Sequence, residues 1–393
     1  MNIMWFCIPA YGHTNPTIEP VRALVRRGHT IRYYSFEEFR GKIEDAGAVF
    51  VPCDAWLPPA DAKTEKRLRR VSATEMSVQS FDTLARMDGF LSREIAEFQP
   101  DGIVSDSACF WGKLTAMKHG LKMVCSTTTF AFNRFSSRYM KQSFWEILDL
   151  LCGIGRMKRA ADALRPLGYP VKSPLEIVQN ANDTDTIVYT SRRFQPCAES
   201  FDPAHYRFVG PSVKDTPITR RAGQQPLVYV SLGTVINNRP DFYRRCIRAV
   251  EGEDMALLIS CGKAFDREQL GPLPGNVRIE HYVNQMEVLA EASLFITHCG
   301  MNSASEGLYM GVPELLFPLT GEQRAVARRV REMGAGRLLT EKEAASPASL
   351  RRAIQEALGD AGLRAAAAEM RADFRACGGA REAADFIEAC FRT

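Results

Sequence analysis

Thirty residues in the last third of the chain, Leu294 to Gln323 (LFITHCGMNSASEGLYMGVPELLFPLTGEQ), concentrate side chains able to do chemistry. Leu294, Phe295 and Ile296 read as a buried parallel strand that breaks into His298, Cys299, Gly300, Met301, Asn302 and Ser303. An imidazole, a close-approach glycine and two short hydrogen-bonding side chains at a strand-to-helix junction suit a phosphate. A helix start collects unpaired N–H groups and positive dipole. On the helix that follows, Glu306 shares a face with Asn302 and Ser303, placed to accept two ribose hydroxyls. Gly311 and Pro313 stop that helix, and Pro313 to Pro318 make the next strand. Gly321, Glu322 and Gln323 follow at its carboxyl end, where an acid and an amide suit the hydroxyls of a sugar. Alone, His298 would read as a satisfied buried histidine; the assembled string is far more specific.

A second constellation lies near the start. Ile3 to Pro9 reads as a buried strand, Ala10 to Asn15 (AYGHTN) as the loop at its carboxyl end, and Pro16 as the first turn of a helix running to Gly28. Thr30 to Ser35 is the next strand, completing a βαβ opening. Doubly wound sheets bind ligands beyond the carboxyl ends of their strands, which is where His13 stands. The strand Gly102 to Ser105 ends in Asp106, again at a carboxyl end. A carboxylate behind an imidazole fixes its tautomer and stabilises the imidazolium, so the pair would make a general base.

The elements that must position these groups form two halves. Length suits two domains, each able to bury a full core. Residues 1–207 are expected to be an N-terminal domain, closed by Ile187 to Phe194, and Phe208 to Gln225, with Gly210, Pro211, Pro217 and Gly223, reads as a linker within 208–226. Residues 227–379 are expected to form a second doubly wound domain with strands at Leu227 to Leu232, Ala256 to Ser260 and Val277 to Ile279. Gly233 and Thr234 follow its first strand, where bare backbone and a hydroxyl suit a distal phosphate. The helix from Glu322 ends near Gly334, and a last helix occupies 380–393.

Composition excludes several classes. The chain is 46% hydrophobic and 24% charged with net charge +4, too mild a basic excess for a dedicated nucleic-acid binder. The run Lys63 to Arg70 contains a glutamate and reads as a solvated helix face. Eleven cysteines are scattered without a CxxC pair, as small buried apolar residues in a reducing cytosol would be. The opening MNIMWFCIPAYGH is apolar too briefly to span a membrane and lacks the marks of a signal peptide, so a cytoplasmic location is expected. Trp56, Phe81, Phe110, Trp111, Phe130, Phe132, Phe135 and Trp145 are core by default; where several line a site they favour a flat, apolar acceptor.

The string from His298 to Gln323 resembles the nucleotide-sugar signature of glycosyltransferase family 1, whose plant members show H-C-G-W-N-S, then a glutamate, then an acid–Gln pair. The bacterial macrolide-glycosyltransferase-like branch is closer still, including the methionine before the asparagine. G-H-x-N-P around Gly12 and His13, and V-S-D-S around Asp106, match the surroundings of that family's catalytic histidine and aspartate. The resemblance implies the GT-B fold, two facing Rossmann-like doubly wound α/β domains with the active site in the cleft between them. It implies that Tyr282, Val283 and Gln285 hold the nucleotide base, although Asn284 replaces the usual proline and Tyr282 the plant tryptophan. The last helix would cross back to the first domain.

The expected activity is an inverting transfer of a hexose, glucose foremost, from a UDP-sugar to a hydroxyl of an apolar natural product, aromatic or macrocyclic. His13 would be the base and Asp106 its partner. His298, Gly300, Asn302, Ser303, Gly233 and Thr234 would face the diphosphate, Glu306 the ribose, and Glu322 and Gln323 the sugar. The nucleotide sugar is a co-substrate; the sequence is read as offering no acidic pair of the D-x-D kind used by metal-dependent transferases, and no metal or other cofactor is expected. The rival readings are a nucleotide-sugar epimerase of the same fold and a non-catalytic nucleotide-sugar-binding protein. The presence of both His13 and Asp106 favours the transferase.

Overall fold

The computed structural model describes residues 1–56, 73–139, 144–171, 183–221, 223–234, 237–263 and 265–392. The run Lys63 to Arg70 and the side chain of Trp145 lie outside the described residues. Two compact units emerge, Met1–Ser212 with Gly378–Thr393, and Val213–Cys377.

The first unit is built on β1 (Asn2–Phe6), β2 (Thr30–Ser35), β3 (Val49–Pro52), β4 (Gly102–Asp106), β5 (Met123–Thr127), β6 (Thr186–Val188) and β7 (Tyr206–Phe208), in the order β3-β2-β1-β4-β5-β6-β7. Every pairing is parallel. Both faces of a parallel sheet are covered, so its strands are near-continuous apolar runs, and Ile3, Met4, Trp5 and Phe6 are all fully buried. The strand order reverses between β1 and β4, whose carboxyl ends carry the approaches to His13 and Asp106. Such a reversal opens the crevice in which doubly wound sheets place chemistry.

The segment expected to be a loop at Ala10 to Asn15 is helical from Tyr11, and the helix runs Tyr11–Arg26. The reason lies in the backbone: the N–H groups of His13 and Thr14 both close on the Ala10 carbonyl, at 3.0 and 2.9 Å, so the first turn forms before Pro16. His13 is thereby fixed on a helical turn. The helix Gly379–Arg392 packs on this one, with Ala383, Ile387 and Phe391 in the first unit's core. Arg27–Asp385 (2.8 Å) and His29–Glu388 (2.5 Å) pin its edge.

The second unit repeats the plan with β8 (Leu227–Ser231), β9 (Ala256–Ser260), β10 (Val277–Glu280), β11 (Leu294–Thr297), β12 (Glu314–Leu316) and β13 (Gly336–Leu338), ordered β10-β9-β8-β11-β12-β13 and again parallel throughout. Its reversal falls between β8 and β11, the strands that lead into Gly233 and His298. Phe208, expected to open the linker, instead closes β7. Further along that stretch Thr219 and Arg220 donate backbone N–H groups to the Ala290 carbonyl, so it is bound to the second unit rather than free chain.

Candidate active site

In the first unit His13 Nδ1 lies 2.8 Å from Asp106 Oδ2. The Asp106 side chain is wholly buried while that of His13 keeps 22% exposure, so the carboxylate sits behind the ring and part of the ring remains open to solvent. The other carboxylate oxygen, Oδ1, accepts the Ala108 N–H at 2.8 Å, which locks the side chain of Asp106 at the end of β4. A carboxylate accepts only, so Nδ1 carries the proton and Nε2 is left as the basic nitrogen. Thr128 Oγ1 also lies 3.1 Å from Nδ1. Sequence reading missed Thr128; a run of hydroxyls, Ser126 to Thr129, at the carboxyl end of a strand was the available signal. Gly12 is exposed on the same helical turn. The carboxylate also pushes the buried thiols of Cys7 and Cys109 further up, beyond what burial alone does, so both stay inert.

Of the aromatic residues, Phe81, Trp111 and Phe130 are core. Trp56, Phe110 and Phe132 are half-buried, and Phe135 is 45% exposed.

In the second unit His298 follows β11, and its ring lies against two bare glycines: a Cβ at either Gly233 or Gly300 would sit 2.5 Å from Nε2. Gly233 also takes φ +78°, a conformation that a side chain would strain. Burial pushes the imidazole down to about 4, so at neutral pH it is an uncharged hydrogen-bonding group rather than a cation. Cys299 next to it adopts φ +63°, the kink that turns the chain from β11 into the helix Met301–Tyr309. Gly300 is the N-cap of that helix, with Asn302 and Ser303 in its first turn and Glu306 one turn on. All three are half-buried, and Thr234 is exposed.

Tyr282 is 68% exposed, an open ring face at the entry to the helix Gln285–Glu291. Val283 beside it is half-buried. Gln285, expected at the base edge, lies beside the residue expected to hold the ribose. Its Nε2 donates to Glu306 Oε2 at 2.6 Å and to Ser303 Oγ at 3.3 Å, which puts the carboxamide beside the expected ribose carboxylate. Gln323 is half committed as well: with Thr320 it forms the capping box of the helix Gly321–Glu332, its Oε1 accepting from the backbone of Leu319 and Thr320. Only its amide N–H groups are left for a ligand. Glu322 is exposed in the same first turn.

Among the described residues no group of three or more His, Cys, Asp or Glu is arranged to hold a metal. Asp183 and Asp185 do have D-x-D spacing, contrary to the sequence reading. They precede β6, at the amino end of that strand, and Asp185 is paired with His205 Nδ1 at 2.8 Å. No described helix is long and apolar enough to cross a membrane.

The family described as erythromycin biosynthesis protein CIII-like, C-terminal domain, matches residues 247–389. The chain is 34% identical to the NDP-glycosyltransferase YjiC of Bacillus licheniformis over 99% of its own length and 97% of the relative's. It is 31% identical to the demethyllactenocin mycarosyltransferase of Streptomyces fradiae, over 98% of this chain and 86% of that one. Among solved structures, the calicheamicin glycosyltransferase CalG4 superimposes with a TM-score of 0.82 at 28% identity, covering 100% of this chain and 98% of the other. Two parallel doubly wound units with these constellations define a GT-B glycosyltransferase. The chain belongs to the UDP-glycosyltransferases of family 1, in the branch that resembles macrolide glycosyltransferases.

Proposed function

We propose that the protein moves a hexose, glucose foremost, from a UDP-sugar to a hydroxyl of an apolar natural product, with inversion at the anomeric carbon. The observation that carries the reading is the His13–Asp106 pair at 2.8 Å, with Nε2 left as the basic nitrogen. In the reaction Nε2 takes the acceptor hydroxyl's proton as its oxygen forms a bond to the anomeric carbon. The bond from that carbon to the β-phosphate oxygen breaks, and the electron pair leaves with UDP. Asp106 stabilises the imidazolium so formed. The neutral His298, the helix start at Asn302 and Ser303, and Thr234 take up charge on the departing diphosphate, a role that needs no metal.

Glu306 holds the ribose, Tyr282 stacks on the base, and Glu322 with the Gln323 amide holds the sugar. Natural-product acceptors are the substrates that several relatives' names specify. The half-buried and exposed aromatics of the first unit favour a flat or macrocyclic acceptor over a free sugar. The rival of a nucleotide-sugar epimerase leaves the dyad's part in activating an acceptor unexplained.

The test is single-turnover transfer from UDP-glucose to a panel of phenolic and macrocyclic alcohols in wild type and His13→Ala. Loss of transfer with donor binding retained supports the roles; loss of donor binding with an unchanged single-turnover rate refutes them.

A further inference from the structure

Two segments of the first unit leave the carboxyl ends of neighbouring strands and carry arginines but no acid. Residues 128–139, after β5, contain Arg134 and Arg138; residues 189–198, after β6, contain Arg192 and Arg193; neither has an aspartate or glutamate. The whole chain, by contrast, is nearly balanced, with 50 basic and 46 acidic residues. All four arginines are exposed. Among the described residues Arg134, Arg138 and Arg192 pair with no carboxylate, whereas Arg32, Arg40 and Arg156 of the same unit each do.

The two segments are fixed to each other. Gln195 is 1% exposed; its Oε1 accepts the Ala131 N–H at 3.0 Å and its Nε2 donates to the Ala131 carbonyl at 2.9 Å. Asn133 Oδ1 accepts the N–H groups of Phe135 and Ser136, closing a turn that carries Arg134 and Phe135. Arg138 donates to the Cys197 sulfur at 3.4 Å. Arg134 lies over the exposed Phe135 ring, 4.6 Å from its centroid, and Arg192 over Phe208 at 5.9 Å. A guanidinium laid on a ring keeps its N–H fork for a carboxylate or phosphate. The surface also begins at the dyad, since Thr128 Oγ1 is 3.1 Å from His13 Nδ1. Arg134, six residues on, is at most about 20 Å from Thr128, within the span of a multi-ring or macrocyclic molecule.

We infer that these two segments form a recognition surface for an anionic group, a carboxylate, phosphate or sulfate, carried by the acceptor. Arg134 and Arg138 are its ligands, and the Phe135 ring meets the acceptor's flat body. The inference rests on the proposed transfer to a natural-product hydroxyl and narrows it: the acceptor is amphipathic, with an acidic group remote from the hydroxyl at His13. Exposed charges are screened, so each arginine should contribute about two- to fivefold, and more at low salt.

The experiment measures kcat/KM for transfer from UDP-glucose to matched hydroxycoumarins and hydroxynaphthalenes. Each is supplied as the free carboxylic acid and as its methyl ester, at low and at high KCl, with a thermal melt of every variant. Wild type is expected to prefer the acids, by a margin that shrinks with salt. Arg134→Gln and Arg138→Gln should each cut that preference about two- to fivefold and the double variant about tenfold, entirely through the acids. Transfer to the esters and calorimetric affinity for UDP should stay within about twofold. Esters used as well as the acids by wild type overturn the inference, while His13-dependent transfer to them leaves the proposed reaction standing. A preference that survives in the double variant also overturns it. So does equal loss with acids and esters in step with a fallen melting temperature, the mark of a merely structural role. If wild type binds UDP-glucose and glycosylates neither member of any pair, the proposed reaction fails and this inference with it.

Discussion

Replacing Glu314 by methionine is expected to stabilise the second unit, by an amount that grows with pH. Glu314 begins β12, paired in register with Phe295 on one side and Gly336 on the other. Its side chain is wholly buried, and neither carboxylate oxygen has a hydrogen-bond partner. A carboxylate cannot stay ionised there, and burial raises its pKa well above the ordinary 4.5. Folding at pH 7 therefore forces proton uptake on a group that is ionised in the unfolded chain. Each pH unit from 4.5 up to the raised folded value adds roughly 1.4 kcal/mol to that penalty.

The sign follows from the raised folded value. The penalty is absent below pH 4.5 and grows as pH rises toward the folded pKa, so Glu314→Met gains least at pH 4.5 and more as pH rises from there. In a calorimetric melt each kcal/mol so gained is a rise of about 2–4 °C in the second unit's transition. Glu314→Gln should gain less, since an amide left without partners stays in the core. All tryptophans lie before Lys158, outside the second unit, so the readout is calorimetry or circular dichroism rather than tryptophan fluorescence. A stability gap between wild type and Glu314→Met that is the same at pH 5 and pH 8 would refute the reasoning, as would a less stable variant at pH 7.

Other substitutions probe the site. His13→Ala should lower turnover by roughly two to four orders of magnitude and leave the calorimetric affinity for UDP-glucose within about twofold. Because burial pushes the imidazole of free His298 down to about 4, and a bound diphosphate favours its charged form, UDP-glucose should bind more tightly at pH 5.5 than at pH 7.5. His298→Asn should flatten that dependence in the same titration. Gly300→Ala pushes a methyl into the His298 ring and should abolish measurable donor binding while the thermal melt stays near that of wild type. Transfer should survive chelation with EDTA, and a loss restored by added magnesium would contradict the proposed neutralisation of the diphosphate.

Much of the fold was legible because parallel strands covered on both faces are short apolar runs, and the chemical residues come immediately after them. The places of His13, Asp106, Gly233 and His298 beyond strand ends were readable for that reason, and the helix read as starting at Asn302 starts one residue earlier, at Met301. The rest was hidden in ways that have physical causes. Pro16 reads as the first turn of a helix, yet the Ala10 carbonyl collects two N–H groups upstream of it and starts the helix at Tyr11. Tyr229 sits in a strand where an aromatic is expected as core, and only the fold brings its hydroxyl to Gln285. Arg220, in what reads as linker, sends its guanidinium to the carbonyls of Leu289, Ala292, Met310 and Gly311, contacts that no local pattern encodes. Glu314 looks like any polar residue at the edge of a strand until β11 and β13 enclose it.

The most direct test of the account is proton NMR of the product formed from UDP-glucose and a phenolic acceptor by wild type, with His13→Ala in parallel. The account predicts a β-glucoside, inverted from the α-linked donor, formed with one UDP released per glycoside and formed hundreds of times more slowly by the variant. An α-glucoside, or a β-glucoside formed equally fast without His13, would contradict it.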